Sequence, residues 1–163
     1  MKLKNHWRFL AVFLFLLVSL LILEQTKTLA RKDNWPVMLN ASRRMEVAMA
    51  AVREEKLNRG YKISPIAEPK QTGMIGEPYT EITTTLGNLE AKRSTANPNT
   101  AAMVVDMLTQ CGAEKGDTVA VNLSSSFPCL HLAVLCALAA LELKGIVINS
   151  VVSSPYVANL PDF

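Results

Sequence analysis

The chain has 163 residues, of which half are hydrophobic, and its formal net charge is +3. The length allows one ordinary domain with a substantial core, and so small a charge does not indicate a nucleic-acid partner. Neither the histidines His6 and His131 nor the cysteines show the spacing of metal ligands. The sequence therefore predicts no metal site and no cofactor.

The cysteines are three in number: Cys111, Cys129 and Cys136. Cys129 and Cys136 fall on one predicted helix, where their Cα atoms would lie about 10 Å apart. This separation is too large for a disulfide. We expect all three to be buried and to act as small hydrophobic residues.

A strongly apolar stretch, WRFLAVFLFLLVSLLIL, covers residues 7–23 and follows a basic N-terminal tail, residues 1–6. It predicts a transmembrane anchor, in which Trp7 and Arg8 extend the span by lying at the membrane interface. A cleaved signal peptide is the alternative, because Thr28-Leu29-Ala30 weakly resembles the small-residue cleavage site.

Basic residues flank this segment on both sides, and those after it are more numerous, which opposes a cytoplasmic N-terminus. Those before it are Lys2, Lys4 and Arg8; those after it are Lys27, Arg31, Lys32, Arg43 and Arg44. A short basic tail before a first helix usually stays in the cytoplasm. We therefore expect a single-pass protein of the bacterial cytoplasmic membrane with an extracytoplasmic soluble part, although three unpaired cysteines argue against that side.

Residues 24–60 form a predicted juxtamembrane region whose main element is an amphipathic helix from Pro36 to Arg59. Apolar residues recur on one face of that helix: Ala41, Met45, Ala48, Met49 and Val52. The charged residues, including Lys56, should occupy the other sides. Asn34 is a possible N-cap and Gly60 a stop. The helix is expected to pack on the soluble domain or to pair with a membrane partner.

A polar connecting region follows, residues 61–96, and contains Thr83, Thr84, Thr85 and the pair Lys92-Arg93. The threonines are typical of a β-prone strand, and the pair is either solvated or available to an anion. Asn97-Pro98 then provides a cap and a first turn. We expect a helix from Thr100 to Cys111, ended by Gly112.

The remainder, residues 97–163, predicts a partial α/β domain built around one βαβ unit. A strand is expected over Thr118–Leu123, a buried helix over Leu130–Leu143 with Gly145 ending it, and a second strand over Ile146–Val152. The two strands should be parallel. The predicted fold class is therefore α/β, with an N-terminal transmembrane helix before a partial parallel sheet.

The candidate site is the turn Ser124, Ser125 and Ser126 between the first strand and the helix. A helix N-terminus has free backbone N–H groups and a positive dipole end, so the turn could bind a carboxylate or oxyanion. The alternative is that Ser126 simply caps the helix. A nucleophilic serine is a further option, but the G-x-S-x-G pattern is absent and His131 is expected on the helix surface.

Two stretches, YTEITTTLGNLEAKRSTANPNTAAMVVDML and KGDTVAVNLSSSFPCLHLAVLCALAALELKGIVINSV, resemble the poly-gamma-glutamate system protein family. The resemblance covers about half the chain. It implies a membrane-linked accessory role in making or exporting an anionic polymer, with poly-γ-glutamate and other subunits as partners, and no defined reaction. The motif residues it points to are Thr83, Thr84, Thr85, Lys92, Arg93, Asn97 and Ser124 to Ser126.

Members of that family are considerably longer, so we expect this chain to be truncated, with further strands of the sheet missing. Three functions stay open from the sequence. The first is an accessory protein that binds the polymer or partner subunits. The second is a serine-dependent amide hydrolase or transferase, and the third is a purely structural membrane-assembly protein.

Overall fold

The computed structural model describes residues 3–26 and 30–163. The chain divides into two compact units, Met1–Lys32 and Asp33–Phe163. Lys2, Lys27 and the Thr28-Leu29 part of the possible cleavage motif lie outside the described residues.

The first unit consists of one long apolar helix, α1 (Leu3–Thr26). Its part from His6 to Thr26 has 21 residues and a mean hydropathy of 2.3, and none of its most apolar window is buried by other parts of the structure. At 1.5 Å per residue such a helix extends about 31 Å, close to the thickness of a bilayer's hydrocarbon core. By length and composition it could cross a membrane; a signal sequence near an N-terminus has the same properties.

The second unit contains four helices and two strands in the described residues. They are α2 (Trp35–Asn58), α3 (Leu89–Thr95), α4 (Asn99–Gln110), β1 (Thr118–Leu123), α5 (Pro128–Leu141) and β2 (Lys144–Asn149). Helices α2, α4 and α5 pack against one another in pairs. Their facing side chains, including Met45, Val105 and Ala133, form the hydrophobic core. The core therefore lies among the helices, with the small sheet beside it.

Helix α2 confirms the predicted amphipathic pattern but corrects one residue. Ala41, Met45 and Met49 are buried, as their spacing on one face requires. The expectation that Lys56 occupies an exposed side is wrong, because its ammonium group donates to the carbonyls of Gly73 at 3.2 Å and Ile75 at 2.6 Å. Asn34 is the N-cap residue by position, but its side chain caps no amide.

The connecting region is irregular apart from α3, a helix that the sequence reading missed. Residues 83–85 form no strand; Thr83 makes a single parallel bridge to Ser153. Helix α3 has only seven residues and begins where the side chain of Asn88 accepts the N–H of Ala91. Helix α4 begins close to the predicted position, and its final turn leads to Gly112 at a φ of 80°.

The two strands are parallel, in the register Thr118↔Lys144 to Leu123↔Asn149. Strand β1 has the predicted bounds, whereas β2 begins earlier than expected because Gly145 is a strand residue and not the helix stop. Glu142 ends α5 instead, in a left-handed conformation at a φ of 56°. A Cβ atom at Gly145 would lie 2.9 Å from the Leu138 side chain, so glycine allows the close approach of helix and strand.

Two burial predictions need correction. Helix α5 is buried on the side facing α2 and α4, but Leu135 on another side is 44% exposed, so the helix is not covered all round. Of the cysteines, Cys129 is buried and Cys136 half-buried, while Cys111 is exposed because it lies just beyond the end of α4. The expectation of three buried thiols is therefore wrong for Cys111.

Candidate functional site

The serine turn joins β1 to α5 and is held mainly by the segment that follows β2. The N–H of Ser125 donates to the Ser150 hydroxyl at 3.1 Å, and the Ser125 hydroxyl donates to the Ser150 carbonyl. The Ser126 hydroxyl accepts the N–H of Ser154 at 3.1 Å. The Ser124 hydroxyl accepts the N–H of Ser126 at 3.4 Å. The hydroxyl groups of Ser125 and Ser126 therefore link the serine turn to the segment after β2.

None of the three serines caps α5. The N-cap position is occupied by Phe127, whose side chain forms no capping bond, and Pro128 follows within the first turn. Proline lacks an N–H, so it removes one of the donors that a cap would satisfy. The expectation that Ser126 caps the helix is therefore wrong, since its hydroxyl binds Ser154 instead.

Lys92 brings a buried positive charge to the turn from α3. Its Nζ atom donates to the Ser126 carbonyl at 2.5 Å and lies 3.5 Å from the centre of the Phe127 ring. The side chain is buried, and this burial lowers the pKa of Lys92 from its ordinary value. A cation over an aromatic face is attracted by the ring quadrupole. Lys92 thus stabilises the turn through its contacts with Ser126 and Phe127.

His131 contacts the turn, though not through a serine hydroxyl. Its Nε2 atom lies 2.6 Å from the Ser124 carbonyl oxygen. Because a carbonyl only accepts, Nε2 carries the proton in this bond. The ring sits one turn into α5 and is half-buried. This hydrogen bond therefore holds the backbone of the turn and does not activate a serine hydroxyl.

The loop that contains Thr83, Thr84 and Thr85 is connected to the serine turn through the segment after β2. The N–H of Thr84 donates to the Ser153 carbonyl at 3.0 Å, and Ser153 precedes Ser154, which binds Ser126. The Thr83 hydroxyl accepts the N–H of Thr80 at 3.0 Å. The side chains of Thr84 and Thr85 are exposed. The structure thus brings two of the predicted polar loops into one hydrogen-bonded region.

Arg93 and Asn97 lie outside that region. The Arg93 guanidinium donates to the carbonyls of Ala67 at 2.7 Å and Ile66 at 2.6 Å and pairs with Glu90. The Asn97 side-chain oxygen accepts the N–H of Asn99 at 3.0 Å, at the beginning of α4. Both residues therefore hold local backbone in this structure, whereas their neighbour Lys92 faces the serine turn.

The residues that sequence reasoning missed are Ser150, Ser153, Ser154 and Asn159, all after β2. The hydroxyl of Ser154 is buried and has no hydrogen-bond partner among the described residues. Asn159 is fully buried and binds the backbone of Glu77. The serine-rich run at 150–154 is a signal for this region, but the predicted strand Ile146–Val152 includes only Ser150, and a strand places successive side chains on alternate faces.

The arrangement is a cluster of hydroxyl groups at a turn that the buried Lys92 contacts, and among the described residues no imidazole or carboxylate is hydrogen-bonded to the Ser125 hydroxyl. The described residues contain no group of three or more histidine, cysteine, aspartate or glutamate side chains placed to hold a metal ion. No protein-family model, curated protein or solved structure matches the chain.

Proposed function

We propose that this chain is a membrane-anchored accessory protein of poly-γ-glutamate biosynthesis or export, and that its second unit binds partner subunits of that machinery. The proposed pathway rests on the sequence resemblance described above. The observation that carries the membrane part is α1, an apolar helix of spanning length with no burial in its most hydrophobic window.

The anchor holds the protein in the bacterial cytoplasmic membrane as a single-pass protein, with the soluble unit on the extracytoplasmic side. An exposed apolar helix is costly in water, because each Å² of apolar surface removed from water contributes about 25 cal/mol. Insertion into a bilayer removes that cost. The short basic tail before the helix favours a cytoplasmic N-terminus.

Binding of partner subunits is supported by the exposed apolar surface of β2. Ile146 is 62% exposed and Ile148 is 70% exposed, and Val151 just beyond the strand is 85% exposed. Contiguous apolar surface of this kind is uncommon on isolated soluble domains and frequent at interaction sites. Both strands of the sheet also have one edge without a described strand partner, and such edges pair readily with another chain.

An accessory role also agrees with the chemistry of the serine turn. The Ser125 hydroxyl donates to the Ser150 carbonyl, and the His131 imidazole binds the Ser124 carbonyl. A hydrolase would require a base within hydrogen-bond reach of the hydroxyl. The turn is better suited to holding the fold, with the exposed Thr84 and Thr85 available for contact with a polymer or subunit.

The decisive experiment is deletion of the gene in the organism that encodes the chain, followed by measurement of poly-γ-glutamate in cells and medium. We expect the deletion strain either to lose the polymer or to retain it inside the cell. The full chain should restore normal production and export, and a chain lacking residues 3–26 should not. Unchanged polymer in the deletion strain would contradict the proposal. Reporter fusions after Phe163 test the side of the membrane.

The partner surface is tested in the same strain with Ile148→Lys, because an exposed side chain can be changed with little effect on folding. Met103→Lys on α4 is the matched control, since Met103 is also apolar and 52% exposed. We expect loss of polymer with Ile148→Lys only. Normal polymer production with Ile148→Lys would contradict the proposal that β2 binds a partner subunit.

A binding assay with purified full-length protein and polyglutamate tests the polymer as the alternative partner. Binding at low salt that is weakened by added salt would indicate that the protein contacts the polymer itself.

A further inference from the structure

A cavity of about 270 Å³ lies beside the serine turn, within the second unit. Its walls come from α2, the loop at 73–74, the first turns of α5 and the segment near the C-terminal end of the chain. Most of the lining is apolar and includes Met74, Leu132, Val157 and Leu160. This volume is far above the space that one water molecule needs, so the cavity has room for a small organic ligand.

Two nitrogen-bearing side chains, those of Lys56 and His131, also line this cavity. The Lys56 side chain is buried, and the hydrogen bonds described for it go to the neutral carbonyls of Gly73 and Ile75. An ammonium group has three N–H donors, so those two bonds leave one donor. The nearby carboxylate of Glu68 is bound by Thr72 and by the N–H groups of Gly73 and Met74. The charge of Lys56 is therefore not neutralised by direct contact with that carboxylate.

The second nitrogen-bearing group, His131, is oriented by the serine turn. Its Nε2 atom donates to the Ser124 carbonyl, so in the neutral ring Nδ1 is an acceptor and the donor for an anionic ligand is Lys56. A small apolar space with a few fixed polar groups is typical of a ligand pocket. A buried cation in such a space is stabilised by an anion, because the attraction is stronger where water is excluded.

We propose that this cavity binds a small monocarboxylate with an apolar body, whose carboxylate contacts Lys56 and whose hydrocarbon part lies against Met74, Leu132 and Leu160. The charge of Lys56 selects an anion, and the apolar lining excludes a second charge on the ligand. The site is independent of the anchor, the partner surface and the polymer pathway.

Burial also lowers the pKa of Lys56, a shift that Glu68 and Glu77 oppose. Such a shift is the expected sign of a cation that has lost hydration, and a bound carboxylate would counteract it. The same amine therefore gains more from an anionic ligand than an exposed lysine would.

The test uses the full-length chain in detergent micelles and two ligands of nearly equal shape, 3-methylbutanoate and the neutral 3-methylbutanamide. Isothermal titration calorimetry, with protein-free micelles as the blank, should show saturable binding of the carboxylate at least tenfold tighter than that of the amide. Equal affinities, or no binding of either ligand, would overturn the proposal.

Two variants locate the binding. Lys56→Met should abolish the preference for the carboxylate, but it also removes bonds to two carbonyls and could prevent folding. Ala158→Trp is the second variant, because Ala158 lines the cavity and is exposed, so a large side chain there blocks the space with little effect on the core. We expect at least a tenfold loss of 3-methylbutanoate affinity in Ala158→Trp. Wild-type affinity in that variant would contradict the assignment of the cavity.

Discussion

Asn159 and Glu77 form a reciprocal pair of hydrogen bonds across the second unit. The Asn159 amide nitrogen donates to the Glu77 carbonyl at 2.7 Å, and the Asn159 amide oxygen accepts the Glu77 N–H at 3.2 Å. The side chain thus satisfies both polar groups of one backbone residue, as a neighbouring strand would. The same nitrogen lies 3.2 Å from the Thr83 hydroxyl, so one buried side chain joins the connecting loop to the segment after β2.

Replacement of this amide by a carboxylate tests that role. Asn159→Asp keeps the shape but removes the donor to Glu77 and Thr83 and places an acid at a fully buried position. We expect the free energy of unfolding to fall by about 3 kcal/mol at neutral pH, because an unpaired charge is left at a buried position and a carboxylate oxygen replaces the N–H that faces the Glu77 carbonyl. Urea unfolding followed by circular dichroism measures the change.

Asn122→Asp is the control for that experiment, since Asn122 is an exposed residue of β1. Its effect should be within about 0.5 kcal/mol. Similar stabilities of the two variants would show that Asn159 does not hold the loop.

Gly76 should tolerate no side chain. A Cβ atom there would lie well under 3.0 Å, the shortest contact that Cβ atoms make, from the Val157 carbonyl oxygen and the Asn159 side-chain oxygen. We expect Gly76→Ala to lower the free energy of unfolding by about 3 kcal/mol, because backbone and a fully buried side chain would have to move.

Gly112→Ala provides the comparison, because Gly112 has open space around it but a φ of 80°. A left-handed conformation costs an alanine about 1 kcal/mol. Urea unfolding should therefore rank Gly76→Ala as clearly more destabilising than Gly112→Ala, and the reverse order would argue against the close approach at Gly76.

The serine turn should not react with serine-directed probes. The Ser125 hydroxyl is bonded to the Ser150 carbonyl, and His131 is bonded to the Ser124 carbonyl, so neither geometry generates an alkoxide. Incubation of the full-length chain with a fluorophosphonate probe should give no labelling by mass spectrometry. Labelling that is lost in Ser125→Ala and retained in Ser64→Ala would favour the hydrolase hypothesis; Ser64 is an exposed serine distant in sequence.

The three thiols should react with iodoacetamide in the order Cys111, Cys136, Cys129. Burial raises the pKa of the Cys129 thiol to about 12, so at pH 8 almost none of it is thiolate, the reactive form. Burial also raises the pKa of Cys136, a shift that the charge of Arg44 opposes, and Cys136 is only half-buried, while Cys111 is exposed. Peptide mass spectrometry after timed labelling measures the order.

The same shift predicts a pH dependence of stability. Because the folded-state pKa of Cys129 is raised, its contribution is fully present below the ordinary thiol value of 9.0 and is lost as the pH rises towards about 12. Cys129→Ala should therefore flatten part of the alkaline loss of stability. In the labelling experiment, equal rates for all three thiols of the folded chain would contradict the burial of Cys129.

Regular elements with a clear period could be predicted from the sequence, and irregular ones could not. The stripe of Ala41, Met45 and Met49 defines one helix face, and the alternation of Val119 and Val121 defines a strand. Helix α3 lacks such a period. A glycine after an apolar run predicts a helix stop, whereas Gly145 here allows close packing of the strand against Leu138.

The candidate site was predicted only in part, for the same reason. A helix N-terminus after a strand indicated the position of Ser124 to Ser126, and a basic pair indicated a cation. Which member of the pair faces the turn depends on how α3 is placed, and the sequence does not encode that in any periodic way. The bonds from Ser150 and Ser154 join residues 25 and 28 positions apart in sequence, beyond the reach of local patterns.

The Asn159–Glu77 pair also bears on how the protein is made. Its two residues are 82 positions apart, so during synthesis the loop around Glu77 leaves the ribosome well before its partner exists. Until then the carbonyl and N–H of Glu77 are bonded to solvent, so the connecting loop can close only after the segment beyond β2 has been made.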